Sequence, residues 1–235
     1  MQNERAGHLQ KMYSLIALLE KKTRCPRLLI NCTGRNSWPA RGVYFFFENG
    51  ENRADTGTGH RVVRVGTHAL HIGSSTKLWT RLSQHRGQKA SGGGNHRGSI
   101  FRLLIGTSLI AQRGFDVPTW GMGNTATADV RAGETALESD VSRIIGAMPF
   151  LWLAIDDDPG PDSLRGYIER NTIALLSNYN KPPLDAPSGE WLGHHCNRER
   201  VRKSGLWNSN HVDGAYDPAF LSVFETLVID MKAAA

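Results

Sequence analysis

The chain has 235 residues, of which 40% are hydrophobic, so it is long enough to bury a sizeable core. Lysine and arginine number 28 against 22 aspartates and glutamates, which gives a formal net charge of +6 at pH 7. This charge suits a polyanionic partner, although many basic proteins bind no nucleic acid. The sequence contains no run of about 18 apolar residues, which excludes a conventional membrane-spanning helix.

The chain contains three cysteines, Cys25, Cys32 and Cys196. Their odd number and the lack of paired CxxC spacing argue against a disulfide scaffold. Charges are also scattered among the first apolar residues, where a secretory signal would carry an uninterrupted apolar run. We therefore expect a cytoplasmic protein.

The amino-terminal part is expected to contain a helix followed by a β-hairpin. Apolar residues recur at helical spacing over residues 8–22, which predicts an amphipathic helix packed on the core. Residues 42–48 are rich in aromatic side chains and residues 61–67 carry three valines, so both segments are predicted strands. The polar segment 49–60 between them is expected to be a long, mobile loop.

A second helix is predicted from Thr76 to Arg86. Within it Lys77, Arg81 and His85 follow one another at intervals of four residues. Residues at this spacing lie on the same side of a helix, so one edge of this helix is expected to be cationic.

A glycine-rich segment, residues 87–98, follows this helix and carries Lys89 and Arg97. Its composition predicts a flexible basic loop. Residues 100–112 are typical of another helix. Residues 114–132 show no clear periodicity and are interpreted as an insertion.

The pattern then predicts a helix, a strand and a further helix. An apolar face runs through residues 137–145, and the continuous apolar segment 150–155 is the third predicted strand. The last helix of this group is expected over residues 162–177, because the prolines at 182 and 183 cannot continue it.

The segment 184–235 holds Trp191, Trp207 and a basic run, and ends in a predicted helix near residues 218–231. Its alternating basic and aromatic residues suit phosphate contacts and probing of a DNA groove. An equally weighted alternative is a structural wrap whose tryptophans belong to the core. The basic residues concerned are Arg198, Arg200, Arg202 and Lys203.

Several short motifs occur in a fixed order along these elements. They are Gly42-Val43-Tyr44 in the first strand, Arg64-Val65-Gly66 at the end of the second, Arg81 and His85 in the next helix, Glu169 in a later helix, and Asn180 beyond it. Over roughly residues 41–180 this series resembles the GIY-YIG nuclease superfamily. Arg64 stands where the second motif of that family has a tyrosine. The histidine four residues after Arg81 is similar to that of restriction endonucleases in the superfamily.

The resemblance implies an α+β fold, in which a small, mostly antiparallel three-stranded sheet is flanked by helices. We expect an amino-terminal helical extension over residues 1–40 and a catalytic core over residues 41–183, interrupted near 114–132. A DNA-contacting extension would then cover residues 184–235.

The activity implied is metal-dependent hydrolysis of DNA phosphodiester bonds, by an endonuclease of restriction or defence type. Arg81 would clamp phosphate through its planar guanidinium. Glu169 would hold Mg²⁺ or Mn²⁺, because magnesium accepts one or two carboxylates and keeps several waters. The catalytic residues implied are Tyr44, Arg64, Arg81, His85, Glu169 and Asn180.

The expected partner is duplex DNA, with a homodimer expected if the recognition site is palindromic. The residues predicted to contact DNA are Lys77, Lys89, Arg97, Arg198, Arg200, Arg202 and Lys203.

The sequence leaves the general base undecided between Tyr44 and His85. Tyrosine hydroxyls titrate at about pH 10 in water, so Tyr44 would need a neighbouring cation, which Arg64 could supply from the paired strand. Histidine titrates nearer neutrality, so His85 is the rival base or a group that orients the water.

Other interpretations of the same residues also remain open. Glu169 could form a surface ion pair with Arg165 four positions earlier. Asn178 competes with Asn180 for the role of the family's asparagine. Because Arg64 replaces the second tyrosine, the chain could also be a DNA-binding protein that keeps the scaffold without catalysis.

Overall fold

A computed structural model of the protein describes residues 2–23 and 26–232. Cys25, on which part of the cysteine argument depends, lies outside the described residues. Within the two described ranges, no helix is both long enough and apolar enough to cross a membrane.

Four strands form one antiparallel sheet, β1 (Arg27–Leu28), β2 (Gly42–Asn52), β3 (His60–Gly66) and β4 (Pro149–Ala154), in the spatial order β1, β4, β2, β3. The α+β class and the three longer strands are confirmed. The fourth strand, β1, was not predicted, because two residues are too few to show an alternating pattern.

The β2–β3 hairpin is longer and better anchored than the sequence predicted. Asn52 pairs with His60, so only residues 53–59 connect the two strands. The backbone N–H groups of residues 54–56 donate to one carboxylate oxygen of Asp185, over 2.8 to 3.1 Å. The expectation of a long, mobile loop over residues 49–60 is therefore wrong, because a distant carboxylate holds this turn.

The helices surround the sheet. They are α1 (Gln2–Thr23), α2 (Leu78–Arg86), α3 (Ile100–Arg113), α4 (Ala128–Gly146), α5 (Leu164–Leu176), α6 (Glu199–Ser204) and α7 (Phe220–Asp230). The start of α4 lies inside the segment expected to be irregular, and Thr127 caps it by accepting the N–H of Val130. Helix α6 was not predicted, because six residues make less than two turns.

Different helices cover the two faces of the sheet. Successive side chains of β2 point to opposite faces and therefore contact different helices. Phe45 stacks on Phe224 of α7, with ring centroids 5.7 Å apart. Phe46 points to the other side and contacts Phe101 of α3 at 5.4 Å. Tyr44 shares the face of Phe46, and this is the face that carries the candidate site.

The segment around Trp207 covers the free edge of β3. The N–H of Trp207 donates to the carbonyl of Val63 at 2.7 Å. The side-chain amide of Asn208 accepts from the N–H of Val65 and donates to its carbonyl, at 3.1 and 2.8 Å. An edge strand that would otherwise present unpaired main-chain groups is thus capped from within the chain.

The two tryptophans of this segment belong to the core. Trp191 and Trp207 are buried, and the indole N–H of each donates to the carboxylate of Glu48 at 3.2 Å. Of the two interpretations held for these side chains, the structural wrap is therefore correct for the tryptophans.

Candidate active site

A cavity of about 390 Å³ lies where β3 ends, between α2, α5 and the segment that caps the sheet edge. Four of the predicted catalytic residues line it, which brings together groups from positions 44 to 169 of the chain. The lining residues are Tyr44, Arg64, Thr67, Leu70, Arg81, Ile100, Glu169, Ile173, Arg198, Asn208, Ser209, Asn210 and His211.

Tyr44 is fixed in the sheet by a close fit against β3. It lies opposite Gly66, and a Cβ atom at position 66 would stand 2.3 Å from the tyrosine hydroxyl. Any side chain at position 66 would therefore displace the hydroxyl. The glycine of the second motif is explained by this close approach rather than by an unusual backbone conformation.

The hydroxyl of Tyr44 is hydrogen-bonded to Nε2 of His85 at 2.8 Å. The other ring nitrogen, Nδ1, is hydrogen-bonded to the Oγ of Ser99 at 2.7 Å. The imidazole is fully buried, and burial, followed by the charges of Arg81, Arg64 and Arg102, lowers the pKa of His85 well below its usual value. His85 is thus neutral near pH 7 and has no direct access to the cavity.

Arg64 lies on β3, on the same face of the sheet as Tyr44. It pairs with Phe46, two residues along β2, so its side chain is diagonal to the tyrosine. The guanidinium donates to the carbonyl of Trp207 and stands 4.7 Å from the ring centre of Phe101. The expectation that this arginine occupies the strand paired with Tyr44 is confirmed.

Arg81 projects from α2 to another part of the cavity wall. One of its terminal nitrogens donates to the carbonyl of Gly98 at 3.0 Å and to Oε1 of Gln84 at 3.1 Å. The side chain stays partly exposed. A guanidinium held in this way keeps other N–H donors for an anion in the cavity.

Glu169 projects from α5 and accepts the N–H of Thr67 at 3.0 Å. Burial raises the pKa of Glu169 to about 7, although this hydrogen bond and the charges of Arg64 and Arg81 act in the opposite direction. The alternative ion pair with Arg165 is wrong, because Arg165 is paired with Asp157 instead.

The surroundings of Glu169 suit a divalent cation. Among residues 2–23 and 26–232, no ion pair includes this carboxylate, and no group of three acidic, histidine or cysteine side chains forms a closed metal site. Magnesium needs only one or two protein carboxylates and fills the rest of its shell with waters and substrate oxygens. Glu169 is a shielded carboxylate beside a polar cavity, and although the charges of Arg64 and Arg81 reach it, neither guanidinium forms an ion pair with it, so its oxygens can serve as ligands.

Neither of the two asparagines considered from the sequence lines the cavity. Asn180 is exposed and has a left-handed backbone with φ of 53°. Asn178 instead binds Arg5 and the backbone of Leu184.

The structure places Asn208 and His211 at the cavity, together with the two residues between them. None of these four residues was predicted as a site residue, although they lie in the segment 184–235 that was expected to contact DNA. The polar run directly after Trp207 was the one available signal, and it carried no motif spacing.

The predicted DNA-contacting residues differ in their access to solvent. Arg198 borders the cavity, and Lys77 and Lys89 are exposed on either side of α2. The remaining three on the carboxy-terminal segment, Arg200, Arg202 and Lys203, are also exposed.

Arg97 is in a different environment from the other predicted DNA contacts. Its guanidinium forms a two-point ion pair with Glu134, at 2.6 and 2.8 Å, and the side chain is only 4% exposed. This pairing disfavours the predicted phosphate contact. It also ties the glycine-rich segment 87–98 to α4, as does the hydrogen bond from the N–H of His96 to Glu138 at 2.6 Å.

Comparison with known proteins gives one match. A family model described as GIY-YIG domain matches residues 3–234. No curated protein and no solved structure matches the chain. The matched region extends on both sides beyond residues 41–180, in which the short motifs lie.

Proposed function

Because the chain belongs to the GIY-YIG family, which is a family of DNA endonucleases, we propose that it hydrolyses duplex DNA with the help of a divalent metal ion. The observation that carries the proposal is the Tyr44–His85 hydrogen bond at the wall of a cavity that also holds Arg81 and Glu169. Hydrolysis of a phosphodiester needs a proton acceptor for water, positive charge near the phosphate and a group that stabilises the leaving oxygen. The cavity offers side chains for each requirement.

We assign the general base to Tyr44. Its hydroxyl belongs to a cavity-lining side chain, whereas the His85 ring is fully buried behind it. The hydrogen bond of 2.8 Å holds the phenol oxygen in one position, and Ser99 holds the imidazole in turn. In its deprotonated form Tyr44 would take a proton from the attacking water and become the phenol, while the water oxygen attacks phosphorus and His85 keeps the phenol oxygen in position.

Two arginines supply the positive charge. Arg64 and Arg81 both line the cavity, so their charges would stabilise a bound phosphate. Because guanidinium groups keep their protons near neutral pH, neither arginine can act as the base.

Glu169 is the residue that would hold Mg²⁺ or Mn²⁺. When bound, such an ion would stabilise negative charge on the leaving oxygen. The carboxylate itself is oriented by the N–H of Thr67, so its position does not depend on the ion.

Within this function we favour an enzyme of restriction or defence type, because a histidine four residues after the arginine of the family is similar to that in restriction endonucleases. The second candidate is a DNA-binding protein without catalysis. The observation that favours it is Arg64 in place of the second tyrosine.

The test is incubation of supercoiled plasmid with and without magnesium. Discrete magnesium-dependent fragments are expected for a sequence-specific enzyme, and a smear would indicate cleavage without sequence preference. Intact plasmid that is nevertheless retarded in a gel with magnesium or manganese would reject catalysis in favour of the DNA-binding scaffold. Intact plasmid that migrates freely would reject both.

A further inference from the structure

Five arginines are buried in the part of the chain that the structure describes, namely Arg5, Arg61, Arg64, Arg102 and Arg165. A buried guanidinium is costly unless hydrogen bonds and a counter-charge compensate for the lost water. Comparison of their partners therefore shows where a negative charge is missing.

Four of the five buried arginines have partners that compensate for the lost water. Three form ion pairs with carboxylates of the chain, Arg61 with Glu51, Arg102 with Glu138, and Arg165 with Asp157. Arg5 has no carboxylate, but it donates five hydrogen bonds to oxygens at the end of α5 and just beyond it.

Arg64 is the exception among them. It is 5% exposed, and no carboxylate of the described residues lies within ion-pair distance of it. One nitrogen donates to Trp207, the group contacts the hydroxyl of Tyr44, and Nε has no hydrogen-bond partner. The charge of Arg81 acts on it unfavourably and that of Glu169 favourably, although Glu169 lies beyond ion-pair distance. With two guanidinium groups and one carboxylate, this wall of the cavity keeps an excess of positive charge.

We propose that Arg64 binds the phosphate group that undergoes hydrolysis, so that the substrate supplies the missing counter-charge. The inference rests on the proposed function and specifies its substrate contact. Arg64 and Tyr44 share one face of the sheet and contact each other, so an anion at Arg64 lies beside the base. The same guanidinium would stabilise the charge that develops on the non-bridging oxygens.

This assignment explains what the exchange of tyrosine for arginine does to the site. A second phenol would add another group able to exchange a proton, whereas a guanidinium adds a fixed positive charge and no proton acceptor. Tyr44 is the only tyrosine among the described lining residues, so proton transfer and phosphate binding are divided between neighbouring positions on β2 and β3.

The first experiment measures single-turnover cleavage by Arg64→Ala with and without added guanidinium ion. We expect a loss of about 10² to 10³-fold in rate and a smaller loss in DNA affinity. Free guanidinium should restore at least about tenfold of the rate in this variant and nothing in the wild type. The matched control is Arg61→Ala on the same strand. Arg61 forms an ion pair with Glu51 outside the cavity, so added guanidinium should not raise the cleavage rate of this variant.

A second pair of variants guards against misfolding of the alanine variant. Arg64→Lys keeps the charge and Arg64→Met keeps much of the volume without it, so the lysine variant should cleave at least about tenfold faster. Circular dichroism melts establish that both fold. Equal rates for the two folded variants, or no rescue of a folded Arg64→Ala, would overturn the proposal.

A third measurement separates this proposal from the proposed function. If the wild type cleaves no DNA under any metal condition, the proposed function fails, but phosphate binding can still be measured. Inorganic phosphate is titrated into protein labelled with ¹⁵N-arginine, with chloride at matched ionic strength as control. A saturable shift of one Nε resonance that Arg64→Lys lacks supports the anion site, and its absence in the wild type rejects it.

Discussion

The hydroxyl of Tyr44 and Nε2 of His85 lie 2.8 Å apart, yet only the tyrosine borders the cavity. The imidazole is enclosed by its neighbours, with Phe101 and Phe46 at ring distances of 5.6 and 6.4 Å. A buried neutral imidazole can orient the phenol but has no path to a water on the substrate. The sequence left the general base undecided between these two residues. Their different positions favour Tyr44 as the base and His85 as the residue that orients it.

Tyr44→Phe is expected to slow single-turnover cleavage by about 10² to 10⁴-fold and to change DNA affinity only a few-fold. The variant loses one hydroxyl and keeps the aromatic packing of the strand, so the loss concerns the transition state. Single-turnover rates and equilibrium binding at the same magnesium concentration provide the measurement.

The matched control is Tyr13→Phe, because the hydroxyl of Tyr13 is also buried but accepts the N–H of Val62 outside the cavity. Folded Tyr13→Phe should cleave like the wild type. If Tyr44→Phe keeps full activity while His85→Ala is inactive, the base is His85 and our assignment is wrong.

Ser99→Ala is expected to slow cleavage by about tenfold, because Ser99 holds the imidazole that orients Tyr44. The same serine caps α3, so its loss should also cost about 1 kcal/mol of stability. Thr127→Ala removes an equivalent cap from α4 without touching the site. Similar stability losses with a slower rate only for Ser99→Ala would support the positioning role, whereas equal rates would refute it.

Glu169→Gln is expected to abolish metal-dependent cleavage and to stabilise the metal-free protein. The raised pKa of about 7 means that the folded state resists ionisation of this carboxyl, whereas the unfolded chain ionises it near its ordinary value. The cost of burying the ionised carboxyl is fully present above about pH 7 and disappears as pH falls towards 4.5. At pH 8 the free energy of unfolding of Glu169→Gln should therefore exceed that of the wild type by on the order of 1 to 3 kcal/mol.

Thermal melts of both proteins with chelator at pH 8 and pH 4.5 provide the measurement. We expect Glu169→Gln to melt at a higher temperature than the wild type at pH 8 and at the same temperature at pH 4.5. Wild-type cleavage and wild-type metal affinity in Glu169→Gln would contradict the assignment of the metal to this residue.

The cleavage rate at limiting magnesium should fall as pH drops below about 7. Below this pH the carboxyl of Glu169 is mostly protonated, so the fraction able to bind metal falls about tenfold per pH unit. The pKa of His85 lies well below its usual value, so the imidazole stays neutral over this range. More magnesium should move the midpoint to lower pH, and a midpoint independent of magnesium would argue against Glu169.

Duplex DNA affinity should fall steeply with salt, and Arg198→Ala should reduce the slope of log affinity against log salt by about 1, because this exposed side chain borders the cavity. Arg97→Ala is the contrasting variant. Its guanidinium is paired with Glu134, so the expected effect is lower stability with an unchanged salt slope. Salt titrations of binding and thermal melts of both variants test this pair.

The sequence predicted the parts of the site that lie on regular elements. Tyr44 and Arg64 were placed on the two apolar strands of one hairpin. Arg81 and His85 were placed on one side of a helix by their four-residue spacing. Local periodicity sets which residues share a face, so these positions can be inferred from the order of the amino acids alone.

Other parts depend on contacts between distant segments. Asn208 reaches the cavity because its amide pairs with Val65 across 143 residues, and no local pattern records such a contact. Arg97 has the sequence surroundings of an exposed cation, but Glu134 from a distant helix pairs with it. The motif order favours Asn180, but in the structure this residue lies outside the cavity lining.

The pairing of Asn208 with Val65 also bears on how the molecule is made. The strands, α2 and α5 precede the segment that closes the cavity, and 143 residues separate the two partners of that closure. Because chains emerge from the ribosome at about 5 to 20 residues per second, the sheet can form while its last wall is still being synthesised. A nascent chain of this protein therefore holds Tyr44 and Glu169 for several seconds without a finished site for DNA.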